Sequence, residues 1–204
     1  GWLLLDRWTL QADNAESDAV NERAAAQFRD ALTLDPGQAS ARLGLLTTEK
    51  NRGFDLYWAS DRPDEALRVF LNAIGELRAA HFPAELRAES RHLETQLLNR
   101  IGDVYYDRGA LAESLRAYRD AESIIRQELG GGGSRLWLDR LSEALYNISG
   151  ALADIPAQRR QALSTAREGA QVMERVLSYG YDASAEKRLS ILYGQEALVL
   201  VSMG

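Results

Sequence analysis

The sequence predicts an all-α chain, a right-handed solenoid of about nine helices with elongated repeats. Three observations carry that reading. Apolar residues recur at helical spacing almost throughout, and no stretch alternates strictly as a half-buried strand would. The 204 residues include only four prolines, and long Ala/Leu/Arg/Glu-rich stretches lose little rotamer freedom in a helix. Two patterns also recur forty-eight residues apart. Ala66-Leu67, Phe70 and Ala73 become Ser114-Leu115, Tyr118 and Ala121, then Ala162-Leu163, Ala166 and Gly169. Leu93, Leu97, Asn99 and Gly102 become Leu141, Leu145, Asn147 and Gly150, with Leu189 opening a further copy. A fixed long period marks stacked units that bury their apolar faces against neighbours.

The elements follow in order. A first helix spans about Trp2 to Ala12, although Gly1-Trp2-Leu3-Leu4-Leu5 also reads as the tail of a membrane span. A second covers roughly Asp18 to Leu34 and stops at Asp35-Pro36-Gly37, because proline cannot continue a helix. A third runs from Gln38 to Arg52, with Asn51-Arg52-Gly53 as its stop signal and Gly53 to Arg62 as an inserted loop. Within that loop Phe54 is expected to tuck into the core, while Tyr57 and Trp58 are candidate partner contacts.

The fourth helix is expected after Asp61-Arg62-Pro63, with Asp61 as its cap, and it ends near Ala80. The fifth spans Ala84 to Arg108 and closes at Gly109; the sixth spans Leu111 to Leu129. Gly130-Gly131-Gly132-Gly133-Ser134 follows, either a natural flexible link or a cloning scar, with no Gly-Lys-Ser/Thr to make a phosphate loop. The seventh helix covers Arg135 to Asp154, the eighth Ala157 to Tyr179 and the ninth Ala183 to Met203. Short corners pair them as helix hairpins within a single repeat domain over residues 1–204, a piece of something larger.

Leu98, Ile101-Gly102, Tyr105, Gly109, Leu111, Tyr118 and Ala121 form a pattern that resembles the tetratricopeptide repeat, with Ser114 where alanine is usual. Trp8, Ala12, Ala24, Phe28, Ala31 and Asp35-Pro36 resemble a first copy. Gly150, Ala162, Ala166 and Gly169 make a weaker one whose aromatic positions are alanine. The intervals exceed the usual length of about 34 residues. The layout is similar to repeat regions attached to bacterial sensory kinases and winged-helix regulators, which implies a sensory or docking role without catalysis.

The resemblance implies that the first helix of each pair lines a concave wall. Asn99, Asp103 and Tyr106 share one helix face at spacings of four and three, and Asn147 and Gln195 repeat the Asn99 position. Side-chain amides can both donate to and accept from an extended peptide. The expected partner is therefore a protein or extended peptide held by Asn99, Asp103, Tyr106 and Asn147. The alternative is that both asparagines only pack helices together. A carboxylate clamp needs more cations than Arg100 supplies, since Ile148 and Ala151 stand in the next repeat.

Other chemistry is weakly signalled. The net charge of −6, with basic and acidic residues interspersed, argues against a nucleic-acid surface. No run reaches the roughly 20 apolar residues of a membrane span. The absence of cysteine excludes disulfides and thiolate metal sites. His81 and His92, even with Glu85 or Glu89, lack the spacing of a metal motif, so no metal or cofactor is expected. Carboxylates such as Asp103, Asp107 and Asp154 sit at the spacing of solvated helix faces rather than as a hydrolytic pair. Finally, Ala197-Leu198-Val199-Leu200-Val201 is too apolar for a solvent-facing end helix, which makes self-association through the C-terminal helix the rival reading.

Overall fold

The computed structural model describes residues 19–131, 134–180 and 183–203. Among them are eight α-helices, two short 3₁₀ helices and no strand: α1 (residues 19–34), α2 (Ala39–Trp58), α3 (Pro63–Ala79), α4 (Arg87–Asp107), α5 (Leu111–Gly130), α6 (Arg135–Ala153), α7 (Arg159–Ser178) and α8 (Ala183–Met203). The helix expected at Trp2 to Ala12 lies outside the described residues, as do Gly132 and Gly133. The chain divides into two compact units, Gly1–Val104 and Tyr105–Gly204.

In the first unit, the expected stop at Gly53 does not occur. α2 runs on to Trp58, so the inserted loop is helix. Gly53 is small for a packing reason: a Cβ there would lie 2.8 Å from Cδ1 and 2.9 Å from Cζ of Phe70, which α3 buries completely. Gly44 admits the ring of Phe28 in the same way, with Cε2 at 2.7 Å from a built Cβ. Helix propensity disfavours glycine, but close approach of a buried aromatic outweighs it.

The corner before α3 also differs from expectation. Arg62, not Asp61, is the N-cap, and Asp61 occupies the left-handed region at φ 51°. Pro63 takes the first turn, Asp64 and Glu65 follow, and Arg78 lies in the last turn, so the charges complement the helix dipole. The 3₁₀ helix Ala84–Leu86 separates Pro83 from α4, so the helix expected from Ala84 starts at Arg87. Glu94, only 8% exposed, lies between Arg78 at 2.8 Å and Arg91 at 3.1 Å.

In the second unit α5, α6, α7 and α8 follow one another as packed neighbours, and α6 also touches α8. Gly109 adopts φ 70° and lets Ala110 N–H reach Tyr105 O at 2.9 Å and its own N–H reach Tyr106 O at 2.8 Å, a Schellman closure that frees the chain to start α5. The eighth predicted helix is split: Ile155 is extended before Pro156, Pro156–Gln158 is 3₁₀, and α7 begins at Arg159. The packed side of α7 is small, with Ala162 and Ala166 fully buried. A Cβ on Gly169 would lie 2.9 Å from Leu192 of α8 and 3.3 Å from Leu145 of α6. Small residues on α7 thereby let larger ones from both neighbours close over it. One core joins Leu115, Tyr118, Ile148, Leu152, Ala162 and Val199; a second joins Leu138, Ala170, Met173, Val176 and Leu192.

Candidate functional site

The expected binding residues fall on both units. In the first, Asn99 is 1% exposed and its Oδ1 meets no donor, so it does not stand on an open wall. That corrects the expectation: the helix-packing alternative describes Asn99, because its register on α4 points it into the interior. Asp103 is half-buried and bound to Arg100 at 2.6 Å. The Arg100 guanidinium also sits 5.6 Å from the ring centroid of Phe54.

Phe54, expected in the core, is 39% exposed, whereas Tyr57 is buried and Trp58 is 41% exposed. Tyr57 is therefore a packing residue: helical spacing turns it inward together with Gly53, away from the face that carries Phe54 and Trp58. Phe54 and Trp58 lie one turn apart, with centroids at 6.2 Å, and Tyr57 meets Trp58 edge-on at 5.0 Å. Trp58, Phe54 and the Arg100–Asp103 pair thus form an aromatic and charged surface on α2 and α4.

In the second unit, Tyr106 is half-buried and donates to Asp154 Oδ2 at 2.7 Å. Burial, then that hydrogen bond, pushes the phenol up to about 12, so it remains a neutral donor. Asn147 is half-buried and lies in a cleft of about 340 Å³ between α6 and α8. The cleft is also lined by Arg140, Glu143, Tyr146, Arg188 and Ile191. Arg140 pairs with Glu143 at 2.6 Å, and Arg188 reaches from α8 to Asp139 of α6 at 2.8 Å. Tyr146 and Ile191 are 38% and 42% exposed.

This cleft offers guanidinium edges, an amide with both donor and acceptor, and two apolar surfaces. Such a set can hold a backbone and seat a side chain. Among the described residues no three His, Asp or Glu side chains are placed to hold a metal, and no helix is long and apolar enough to cross a membrane. His81 is exposed at its corner and His92 is half-buried on α4. A larger cleft of about 640 Å³ beside α1 and α2 has Glu49 in its lining, held by Arg29 at 3.5 Å and Arg52 at 3.0 Å.

The sequence reading named Asn147 but missed Arg140, Tyr146, Arg188 and Ile191. One signal was present: Arg140 and Arg188 are forty-eight residues apart, as Asn147 and Gln195 are.

No family model matches the sequence, and no curated protein matches it. The structure is similar to that of the yeast histone chaperone Hif1, described as a scaffold protein recruiting protein complexes to core histones. The TM-score is 0.56 at 14% identity, covering 96% of this chain and 98% of that one. At that identity the likeness speaks for an all-helical, repeat-like fold.

Proposed function

We propose that this chain is a non-catalytic protein-binding module of tetratricopeptide type, and that the α6–α8 cleft receives an extended segment of a partner protein. The observation that carries the reading is the cleft itself. Exposed Tyr146 and Ile191 stand beside the Asn147 amide and the guanidiniums of Arg140 and Arg188 in about 340 Å³. A partner's peptide groups would bond to the amide, and one of its apolar side chains would lie against Tyr146. The scaffold role described for the yeast chaperone supports protein binding as a use of this fold; it lends nothing to a bacterial signalling output. Phe54 and Trp58 provide a separate contact surface in the first unit.

The test is selection of unstructured peptides from a display library, followed by titration against Tyr146→Ala and Asn147→Ala. Each change should weaken selected peptides on the order of tenfold, as loss of a contact worth about 1.4 kcal/mol does, with unchanged melting. Peptides that bind both variants as well as the parent chain would overturn the assignment.

A further inference from the structure

The surface on α2 and α4 presents hydrogen-bond donors around aromatic rings, while its acceptors are engaged. Lys50 Nζ meets Gln96 Oε1 at 3.4 Å, and one turn further along both helices Arg100 sits 5.6 Å from the Phe54 ring centroid. Equal steps on the two helices mean that they run side by side in the same direction. Trp58 extends the stripe of Lys50 and Phe54 by another turn, near the level of Asp103. Both walls of this surface, α2 and α4, belong to the first unit.

Each polar side chain here has a fixed capacity. Lys50, Arg100 and the indole N–H of Trp58 can only donate. Gln96 gives its carbonyl oxygen to Lys50, which leaves its amide hydrogens to donate. Asp103 is held by Arg100 at 2.6 Å. The carboxylates of α2, Glu49 and Asp55, stand on the side that lines the cleft beside α1. Among the donors lie the exposed rings of Phe54 and Trp58, 6.2 Å apart and inclined at 44°.

An ordinary extended segment laid on this surface would cover its own backbone N–H groups where few acceptors can receive them, and a covered donor left without a partner is costly. Proline has no N–H. A proline-rich segment offers carbonyls and apolar rings, and in polyproline II it is extended before it binds, so it loses little freedom. A carboxylate-bearing segment also offers acceptors, yet it brings the same N–H groups and is repelled by Asp103.

We propose that this surface binds a proline-rich segment of a partner protein. Proline rings lie against Trp58 and Phe54, and the segment's carbonyls accept from Trp58 Nε1, Gln96 Nε2 and Arg100. This names the partner of the contact surface formed by Phe54 and Trp58 and rests on that surface alone. The α6–α8 cleft is a separate site, whose lining includes the Glu143 carboxylate and the Asn147 amide.

Fluorescence anisotropy tests it on the 204-residue chain, with a labelled oligoproline of about ten residues, or about three turns of polyproline II. Glycine–serine and glycine–glutamate peptides of the same length are the controls. Oligoproline should bind saturably, and both controls should bind at least about tenfold more weakly. Trp58→Ala should weaken oligoproline by at least about tenfold through loss of the ring. Trp58→Phe keeps a ring but removes the donor, and should weaken it by a smaller factor. Gln96→Glu replaces the donating amide by an acceptor and still offers Lys50 a partner, so it should weaken binding with unchanged melting. Tyr146→Ala, in the α6–α8 cleft, should leave oligoproline binding unaltered while weakening peptides selected for that cleft, so the two assignments fail separately. Absence of saturable oligoproline binding, equal binding of either control, or an affinity unmoved by Trp58→Ala and Gln96→Glu would each overturn the proposal.

Discussion

Replacing Gly53 by alanine sets two effects against each other, and their magnitudes decide the sign. In a helix interior alanine is favoured over glycine by about 0.8–1.0 kcal/mol. At Gly53 the added methyl falls on the Phe70 ring, 2.8 and 2.9 Å from two of its carbons, and that ring is fully buried. Overpacking of this kind costs about 1–3 kcal/mol. The net result is a chain unchanged to about 2 kcal/mol less stable, by the difference of those ranges. Gly75 is the internal control, also interior to a helix but with nothing within 4 Å of a built Cβ. Gly75→Ala should stabilise by about 0.5–1 kcal/mol. Urea unfolding at constant slope measures both. Phe70→Leu should relieve Gly53→Ala, with a coupling of about 0.5–3 kcal/mol in the double-mutant cycle. A Gly53→Ala chain as stabilised as the Gly75→Ala chain, or strict additivity with Phe70→Leu, would refute the close-packing account of Gly53.

Tyr118, 3% exposed in the core that joins α5, α6, α7 and α8, should cost about 3–5 kcal/mol on truncation to alanine, read as a lower unfolding midpoint. Tyr106 should make stability fall at high pH. Its folded pKa of about 12 lies above the ordinary value near 10, so the contribution is complete below about pH 10 and is lost as pH rises through about 12. The stability difference between the parent chain and Tyr106→Phe should accordingly be constant below pH 10 and shrink above it. A difference that stays constant to pH 12 would show that the phenol does not favour its neutral form.

The fold was legible wherever local chemistry and packing agree. The corners at Pro36 and Gly109 appear as expected, Pro63 takes the first turn of α3 although the cap is Arg62, and α8 has the anticipated bounds, Ala183–Met203. Gly53 was misread because a glycine that ends a helix and one that admits a neighbour's ring look alike until Phe70 is placed beside it. The 3₁₀ turns were missed because helical periodicity does not distinguish the first few residues after Pro83 and Pro156 from α-helix. Asn99 and Asn147 share a repeat position, yet one is sealed and the other half-buried. Periodicity fixes the direction of a side chain from its own helix axis; the neighbouring side chains decide whether water reaches it.

The cleft residues carry a division that bears on recognition. Across the forty-eight-residue period the cleft keeps one pair of lining groups, Arg140 with Arg188, while Asn147 lines it and its counterpart Gln195 lies outside the lining. It changes at the others: Glu143 of the lining becomes Ile191, also in the lining, and Tyr146 of the lining corresponds to Gly194, outside it. A segment crossing from one helix to the next would meet a guanidinium twice and the Asn147 amide once. Those groups recognise carboxylates and peptide bonds, which most segments possess, so they favour binding without fixing register. The unlike positions place the aromatic surface of Tyr146 on α6 and the aliphatic surface of Ile191 on α8, and these distinguish one end of a segment from the other. In the proposed mechanism Asn147 therefore supplies affinity common to many peptides, whereas Tyr146 selects among them. Asn147→Ala should weaken selected peptides to similar extents, and Tyr146→Ala should change their rank order.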